Sequence, residues 1–123
     1  MNIAEYQKLA MRTNDGKCTE RIRLAAHSRV VDFGAVINAS LGLSGEVGEL
    51  NDMIKKATFH GHTLNADHVK KEIGDIMWYI ALMCDAFGFD MGEIAQMNID
   101  KLIARYPDGF DPEKSLHRKE GDV

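Results

Sequence analysis

The sequence has few of the features that mark a membrane protein, a disulfide-rich secreted protein or a nucleic-acid binder. Its two cysteines, Cys18 and Cys84, lie far apart and form no CxxC pair, which favours free thiols in a reducing compartment. No apolar run approaches the roughly 20 residues that span a bilayer, and the first residues lack a signal-peptide layout. The net charge of -4 argues against a nucleic-acid polymer as partner. We therefore expect a cytoplasmic protein with no membrane association.

Several kinds of chemistry also lack their sequence signals. There is no glycine-rich loop of the P-loop type, and no plausible Ser-His-Asp order can be picked out. His60, His62 and His68 cluster around one predicted loop, but no cysteine lies nearby and no helical His-x₃-His pair is present. Exposed loop histidines are therefore the favoured interpretation over a zinc site.

The apolar pattern is helical throughout, with no alternation that indicates a sheet. The clearest predicted helix covers residues 66–87, in which the nine residues 76–84 carry no charge. A helix that is apolar all round is buried on most sides, and a chain of 123 residues can hardly cover it alone. We predict an all-α antiparallel bundle of about four to five helices that is oligomeric, followed from Asp111 by a polar segment that is extended or mobile.

A second long helical pattern, from residue 35 to residue 57, contains Gly42, Gly45 and Gly48 at every third position. Each glycine inside a helix costs roughly 1 kcal/mol relative to alanine, so the series needs a reason. Close approach of a neighbouring helix is the favoured one. The alternative is a turn at residues 43–45, with Ser44 capping a new helix.

Two short acidic repeats stand at the centre of the sequence, each with two carboxylates three residues apart. They are Glu46-Val-Gly-Glu49 and Glu72-Ile-Gly-Asp75. In an antiparallel hairpin the two pairs lie at nearly the same height, because each is roughly 9–15 Å from the connecting loop at 1.5 Å per residue. Four facing carboxylates need a counter-charge, and oxygen-only ligation suits Mg²⁺ or Mn²⁺. The alternative is two solvated acidic faces that form salt bridges with the nearby lysines Lys55, Lys56, Lys70 and Lys71.

A polar and basic cluster lies on the last long predicted helix. Asn98, Lys101 and Arg105 share one helical face and have the donors that bind phosphate oxygens beside a metal. Taken alone, a solvated basic face is the preferred interpretation of these three residues.

Three stretches together resemble the MazG-like nucleoside triphosphate pyrophosphohydrolases. They are Leu41-Gly-Leu-Ser-Gly-Glu-Val-Gly-Glu-Leu50 with Lys55-Lys56, then Glu72-Ile-Gly-Asp-Ile-Met-Trp-Tyr79, and Asn98-Ile-Asp-Lys-Leu-Ile-Ala-Arg-Tyr-Pro-Asp-Gly-Phe110. The similarity covers residues 1–110, which we take as one MazG-like domain, with 111–123 as a polar C-terminal tail. One departure is Gly45, where many relatives carry an additional glutamate, so the general base is left open between Glu46 and Glu49.

The resemblance implies Mg²⁺-dependent hydrolysis of a (deoxy)nucleoside triphosphate to the monophosphate and pyrophosphate, with a role in nucleotide-pool house-cleaning. It assigns the metal to Glu46, Glu49, Glu72 and Asp75, with Mn²⁺ as a possible substitute. It assigns the phosphate contacts to Lys56, Asn98, Lys101 and Arg105, and it implies a homodimer or homotetramer. Two alternatives remain: a related hydrolase acting on an alarmone or phosphoribosyl-ATP, and a non-catalytic helical module that senses nucleotides or oligomerises.

Overall fold

The structure, a computed structural model, describes residues 1–117 and is helical throughout. The described residues contain no strand, which confirms the predicted all-α class. The α-helices are α1 (Ile3–Ala10), α2 (Cys18–Ala26), α3 (Phe33–Phe59), α4 (Ala66–Phe87), α5 (Met91–Arg105) and α6 (Pro112–Leu116), with a 3₁₀ turn at Met11–Thr13.

The sixth helix corrects the prediction of an extended segment after Asp111. The Asp111 side chain accepts a hydrogen bond from the backbone N–H of Glu113 at 3.0 Å, and Pro112 occupies the first turn. A capping aspartate followed by proline is a typical helix start, and it explains why the described residues contain six helices rather than four to five. Residues 118–123 of the predicted tail lie outside the described part of the chain.

The described residues divide into two compact units, one from Met1 to Phe87 and one that begins at Gly88. The first unit contains α1 to α4, and α3 packs mainly on α4. The second contains α5 and α6. The boundary that we predict after residue 110 stays a prediction.

Helix α3 runs unbroken through the glycine series, as the favoured interpretation predicts. The Ser44 hydroxyl donates a hydrogen bond to the Ser40 carbonyl oxygen at 3.0 Å within the helix, so it caps no new helix. Only Gly42 meets a neighbour, because a Cβ there would lie 2.1 Å from Cε1 of Tyr79 on α4. A Cβ at Gly45 or Gly48 would meet open space. Close helix packing therefore explains one of the three glycines.

Helices α3 and α4 form an antiparallel hairpin, in which residues later in α3 lie beside residues earlier in α4. Gly42 approaches Tyr79, and Glu46 meets Asp75 four residues further on. The connecting loop turns at Gly61, whose φ of +72° suits a residue without Cβ. Asn65 caps α4, since its Oδ1 accepts from the backbone N–H groups of Asp67 and His68 at 2.9 and 3.2 Å.

The central helix α4 has large apolar side chains that its own chain leaves exposed. Met77 and Trp78 are 56% and 57% exposed, and Ile73 and Ile80 are 44% and 40% exposed. Cys84, on the same helix, is buried and free, and Cys18 is free and exposed. Within residues 1–117 no helix is long and apolar enough to cross a membrane.

Candidate metal-binding site

Three of the four predicted metal ligands converge between α3 and α4. Glu46, Glu72 and Asp75 each offer a carboxylate oxygen, and these three oxygens lie within 4.8 Å of one another. Glu46 and Glu72 are half-buried, whereas Asp75 is exposed. A glycine lies two residues after Glu46, and another lies two residues after Glu72. Little side-chain bulk therefore separates the acids from solvent on either helix. The predicted meeting of the two acidic repeats is thus present in the fold.

The other acids of the two repeats affect the pKa of Glu46. Partial burial raises the pKa of the Glu46 carboxyl above its usual value, and the negative charges of Glu49, Asp75 and Glu72 raise it further. The three other predicted acids therefore all act electrostatically on Glu46. A divalent cation placed among them would remove the cause of that repulsion.

The spacing of the carboxylates fits a small divalent ion. Mg²⁺ binds oxygens at 2.0–2.1 Å in an octahedron, so adjacent ligands lie about 2.9 Å apart and opposite ligands about 4.2 Å apart. Oxygens that lie within 4.8 Å of one another therefore have to close by up to roughly 2 Å, which side-chain rotation can supply. Carboxylate-only ligation also matches the preference of Mg²⁺ and Mn²⁺ for oxygen.

The fourth predicted ligand, Glu49, lies in an open cleft next to the trio. This cleft of about 500 Å³ is lined by Glu49 and Glu72 together with Asp52, Lys56 and the two unobstructed glycines Gly45 and Gly48. The glycines whose Cβ would meet nothing thus lie where a ligand needs room. Lys56, predicted to contact phosphate, is in place beside the acids.

Asp52 is a cleft residue that our sequence analysis did not single out. Its two carboxylate oxygens pair with the ammonium groups of Lys55 and Lys56, each at 2.5 Å. These pairs lower the pKa of the Asp52 carboxyl to about 2. The signal was present in the sequence, because Asp52 continues the three-residue spacing of Glu46 and Glu49.

Three of the four lysines named in the alternative of solvated acidic faces pair with acids outside the two repeats. Lys55 and Lys56 pair with Asp52, and Lys70 pairs with Asp67 at 3.1 Å. The ion pairs of these three lysines therefore go to aspartates outside the two acidic repeats. The loop histidines also stay outside the metal-ligating group, which within residues 1–117 consists of Glu46, Glu72 and Asp75.

The remaining predicted substrate contacts lie in the second compact unit. Asn98, Lys101 and Arg105 all belong to α5, at spacings that put them on one face. The Arg105 guanidinium lies 5.9 Å from the centre of the Tyr106 ring. A role for these three residues in phosphate binding stays a prediction.

A family comparison agrees with the geometry of the acidic cluster. Residues 34–110 match the model of the MazG nucleotide pyrophosphohydrolase domain. The chain belongs to this MazG family. The matched segment runs from the first turn of α3 to the turn after α5, so it contains every predicted site residue.

The chain is also similar to a curated phage protein. The "Gene 37 protein" of Mycobacterium phage L5 is 31% identical over 70 residues, which cover 54% of this chain and 61% of the phage protein. The chain thus spans less than two thirds of the length of that curated relative. No solved structure matches the chain. Members of the MazG family usually use a divalent metal, and the Glu46, Glu72 and Asp75 group can hold one.

Proposed function

We propose that this chain is a Mg²⁺-dependent pyrophosphohydrolase that splits (deoxy)nucleoside triphosphates into the monophosphate and pyrophosphate. Glu46, Glu49, Glu72 and Asp75 are its metal ligands, with Mn²⁺ as a substitute for Mg²⁺. Removal of non-standard nucleotides from the cytoplasmic pool is the cellular role that we propose. The free thiols of Cys18 and Cys84 suit that reducing compartment.

The convergence of Glu46, Glu72 and Asp75 carries the proposal. Three carboxylate oxygens within 4.8 Å repel one another unless a cation joins them. A structural role for the cluster would be served better by a lysine or arginine among the acids, yet the nearby Lys55 and Lys56 are held by Asp52. The open cleft beside Glu49 and Glu72 gives a polyanionic substrate access to the metal.

In this mechanism the cleft residues hold the substrate and take a proton. Mg²⁺, when bound, neutralises the phosphate charge and lowers the pKa of a water molecule. Glu46 or Glu49 accepts the proton of the attacking water, whose oxygen forms a new bond to the α-phosphorus. The bond from that phosphorus to the bridging oxygen then breaks, and pyrophosphate leaves with the bonding electron pair. Lys56 stabilises the charge that builds on the leaving group.

The raised pKa of Glu46 also bears on the choice of base. Partial burial and the neighbouring acids raise its pKa, and a bound cation would oppose that rise. Glu49 is more exposed and lines the cleft directly, which makes it the better placed of the two to face a water molecule that enters from solvent.

We further propose that the functional form is a homodimer or homotetramer. The exposed Ile73, Met77, Trp78 and Ile80 on α4 are apolar surface that a monomer leaves in water. A second copy that covered this helix would bury them close to the acidic cluster, since Ile73 lies between Glu72 and Asp75 in the sequence. Light scattering coupled to size-exclusion chromatography should therefore give a mass of two or four chains.

Pyrophosphate release from a panel of ribo-, deoxy- and modified nucleoside triphosphates, with and without Mg²⁺, tests the activity. We expect Mg²⁺-dependent release with the monophosphate as second product. Glu49→Gln and Asp75→Asn should abolish turnover while the helical circular dichroism stays unchanged. Asp85→Asn is the matched control, because Asp85 is an exposed acid on α4 outside the cluster, and it should keep wild-type activity.

Three outcomes would overturn parts of the proposal. Full activity in Glu49→Gln or Asp75→Asn would refute the ligand assignment. Release without added metal, unaffected by a chelator, would refute the metal dependence. Binding of a Mg²⁺–nucleotide complex without any release would identify the chain as a nucleotide-sensing module instead of an enzyme.

A further inference from the structure

A second, smaller recess adjoins the acidic cleft at the loop between α3 and α4. It has a volume of about 160 Å³ and shares Met53 and Lys56 with the cleft. The rest of its wall comes from the loop and the first turn of α4, including His62, Thr63 and His68. The two spaces are therefore neighbours along one groove of the helical hairpin.

The polar residues that line this loop recess offer several hydrogen-bond donors. The Asn65 carbonyl oxygen is already used to cap α4, so its side chain has its NH₂ group left to offer. Lys56 carries an ammonium group, Thr63 a hydroxyl, and each imidazole of His62 and His68 at least one N–H. No carboxylate lines the recess. The hydroxyl and a neutral imidazole can also accept, but the absence of a carboxylate lets an anion approach these donors without repulsion.

Charge also differs between the two ends of the groove. Lys56 lines both the cleft and the recess, and its ammonium group pairs with Asp52 on the cleft side. The acidic cluster lies at the other end, and α3 rises about 6 Å from Glu49 to Met53 at 1.5 Å per residue. The groove thus changes from a carboxylate-rich end to a carboxylate-free end over roughly the length of a few linked phosphates.

We propose that the loop recess binds the terminal phosphates of the substrate, with His62 and His68 as donors to the pyrophosphate that leaves. This inference rests on the proposed function, because it orients the triphosphate in that site: the α-phosphate lies at the acids and the β- and γ-phosphates extend toward the loop. The sugar and base then leave the groove on the side away from the loop.

Inhibition by the two products tests separately where the two ends of the substrate bind. His62→Ala and His68→Ala should each weaken inhibition by Mg²⁺-pyrophosphate about 10-fold or more, the usual loss for a hydrogen bond to a charged group. Inhibition by the nucleoside monophosphate should change by less than about twofold. His62→Gln, which keeps a donor, should restore part of the pyrophosphate affinity.

His60→Ala is the matched control for the loop histidines. His60 lies in the same loop and is exposed, but its side chain is not part of the recess. Its backbone N–H donates to the Lys56 carbonyl oxygen at 3.0 Å, and the substitution keeps that bond. Pyrophosphate inhibition in this variant should stay within about twofold of the wild type.

Direct binding of Mg²⁺-pyrophosphate, followed by calorimetry or ³¹P NMR, tests the recess without turnover. Binding that is weakened in both histidine variants upholds the recess even if no nucleotide is hydrolysed, an outcome that would overturn only the proposed function. Normal turnover with pyrophosphate affinity unchanged in both variants would overturn the recess alone. Weaker monophosphate inhibition with unchanged pyrophosphate inhibition would also overturn it, because the recess would then hold the nucleoside.

Discussion

The close approach of Gly42 to Tyr79 predicts that Gly42→Ala destabilises the hairpin. A Cβ at this position would lie 2.1, 2.2 and 2.5 Å from three atoms of the tyrosine ring. The ring would have to move by about 1.3 Å to reach ordinary van der Waals contact near 3.4 Å. Trp78 packs edge-on against the same ring, with 4.9 Å between the centroids, so the displacement would disturb a second aromatic side chain.

The expected magnitude is a difference between two opposing effects. Overpacking of this kind costs about 1–3 kcal/mol, whereas alanine gains about 1 kcal/mol over glycine inside a helix. Gly42→Ala should therefore lower the free energy of unfolding by up to about 2 kcal/mol. Gly74→Ala on α4 is the control, because a Cβ there meets nothing within 4 Å, and it should raise the stability by up to about 1 kcal/mol.

Urea unfolding followed by circular dichroism, at one protein concentration for all variants, measures both changes. Combining Gly42→Ala with Tyr79→Leu should remove most of the penalty, because the smaller side chain leaves room for the methyl group. The reasoning is refuted if Gly42→Ala is as stabilising as Gly74→Ala. Activity gives a second readout: Gly42 is one turn from Glu46 and Tyr79 one turn from Asp75, so forcing the helices apart should also lower turnover.

Three further predictions concern the groove. Asn65→Ala removes the cap of α4 and should cost about 1 kcal/mol of stability in urea unfolding; an unchanged midpoint would contradict the capping role. The pKa of Asp52 is about 2 in the folded chain against about 3.9 when unfolded, so its ion pairs stabilise above pH 4 and lose that effect as the pH falls toward 2. The stability difference between wild type and Asp52→Asn should therefore shrink from pH 6 to pH 3, and a growing difference would reverse the sign of the argument. Mg²⁺ should raise the melting temperature of the wild type and leave that of Glu46→Gln nearly unchanged, whereas an equal rise in both would remove Glu46 from the ligand set.

The sequence predicted the elements of the hairpin because its signals there are local and strong. The uncharged run of residues 76–84 marks α4, and it lies inside the helix Ala66–Phe87 of the structure. The height at which the acidic repeats meet followed from helix rise alone. The sequence did not show that Glu46, rather than Glu49, joins Glu72 and Asp75 most closely, since that depends on the rotation of each helix about its axis.

The loop recess could not be predicted from the sequence, because it too depends on three-dimensional geometry. His62 and His68 have no periodic pattern, and without the fold they are ordinary exposed loop residues. Their position next to Lys56 follows from the turn at Gly61, whose positive φ sends the chain back along α3. A turn geometry of this kind decides contacts between residues that helical spacing cannot relate.

In the hairpin, the position of the acids and the shape of the loop recess depend on different parts of the chain, so each can change without the other. Adding one residue inside α3 between Glu49 and Phe59 would rotate the preceding acids by about 100° away from Glu72, because an α-helix has 3.6 residues per turn. Adding a residue in the loop at 60–65 would leave both helical faces in place and alter only the recess. Helix periodicity therefore determines the positions of the acids, whereas loop length determines the positions of the loop donors that face the terminal phosphates. If the recess orients the triphosphate as proposed, changes in this loop alter pyrophosphate affinity while the carboxylate cluster keeps its metal.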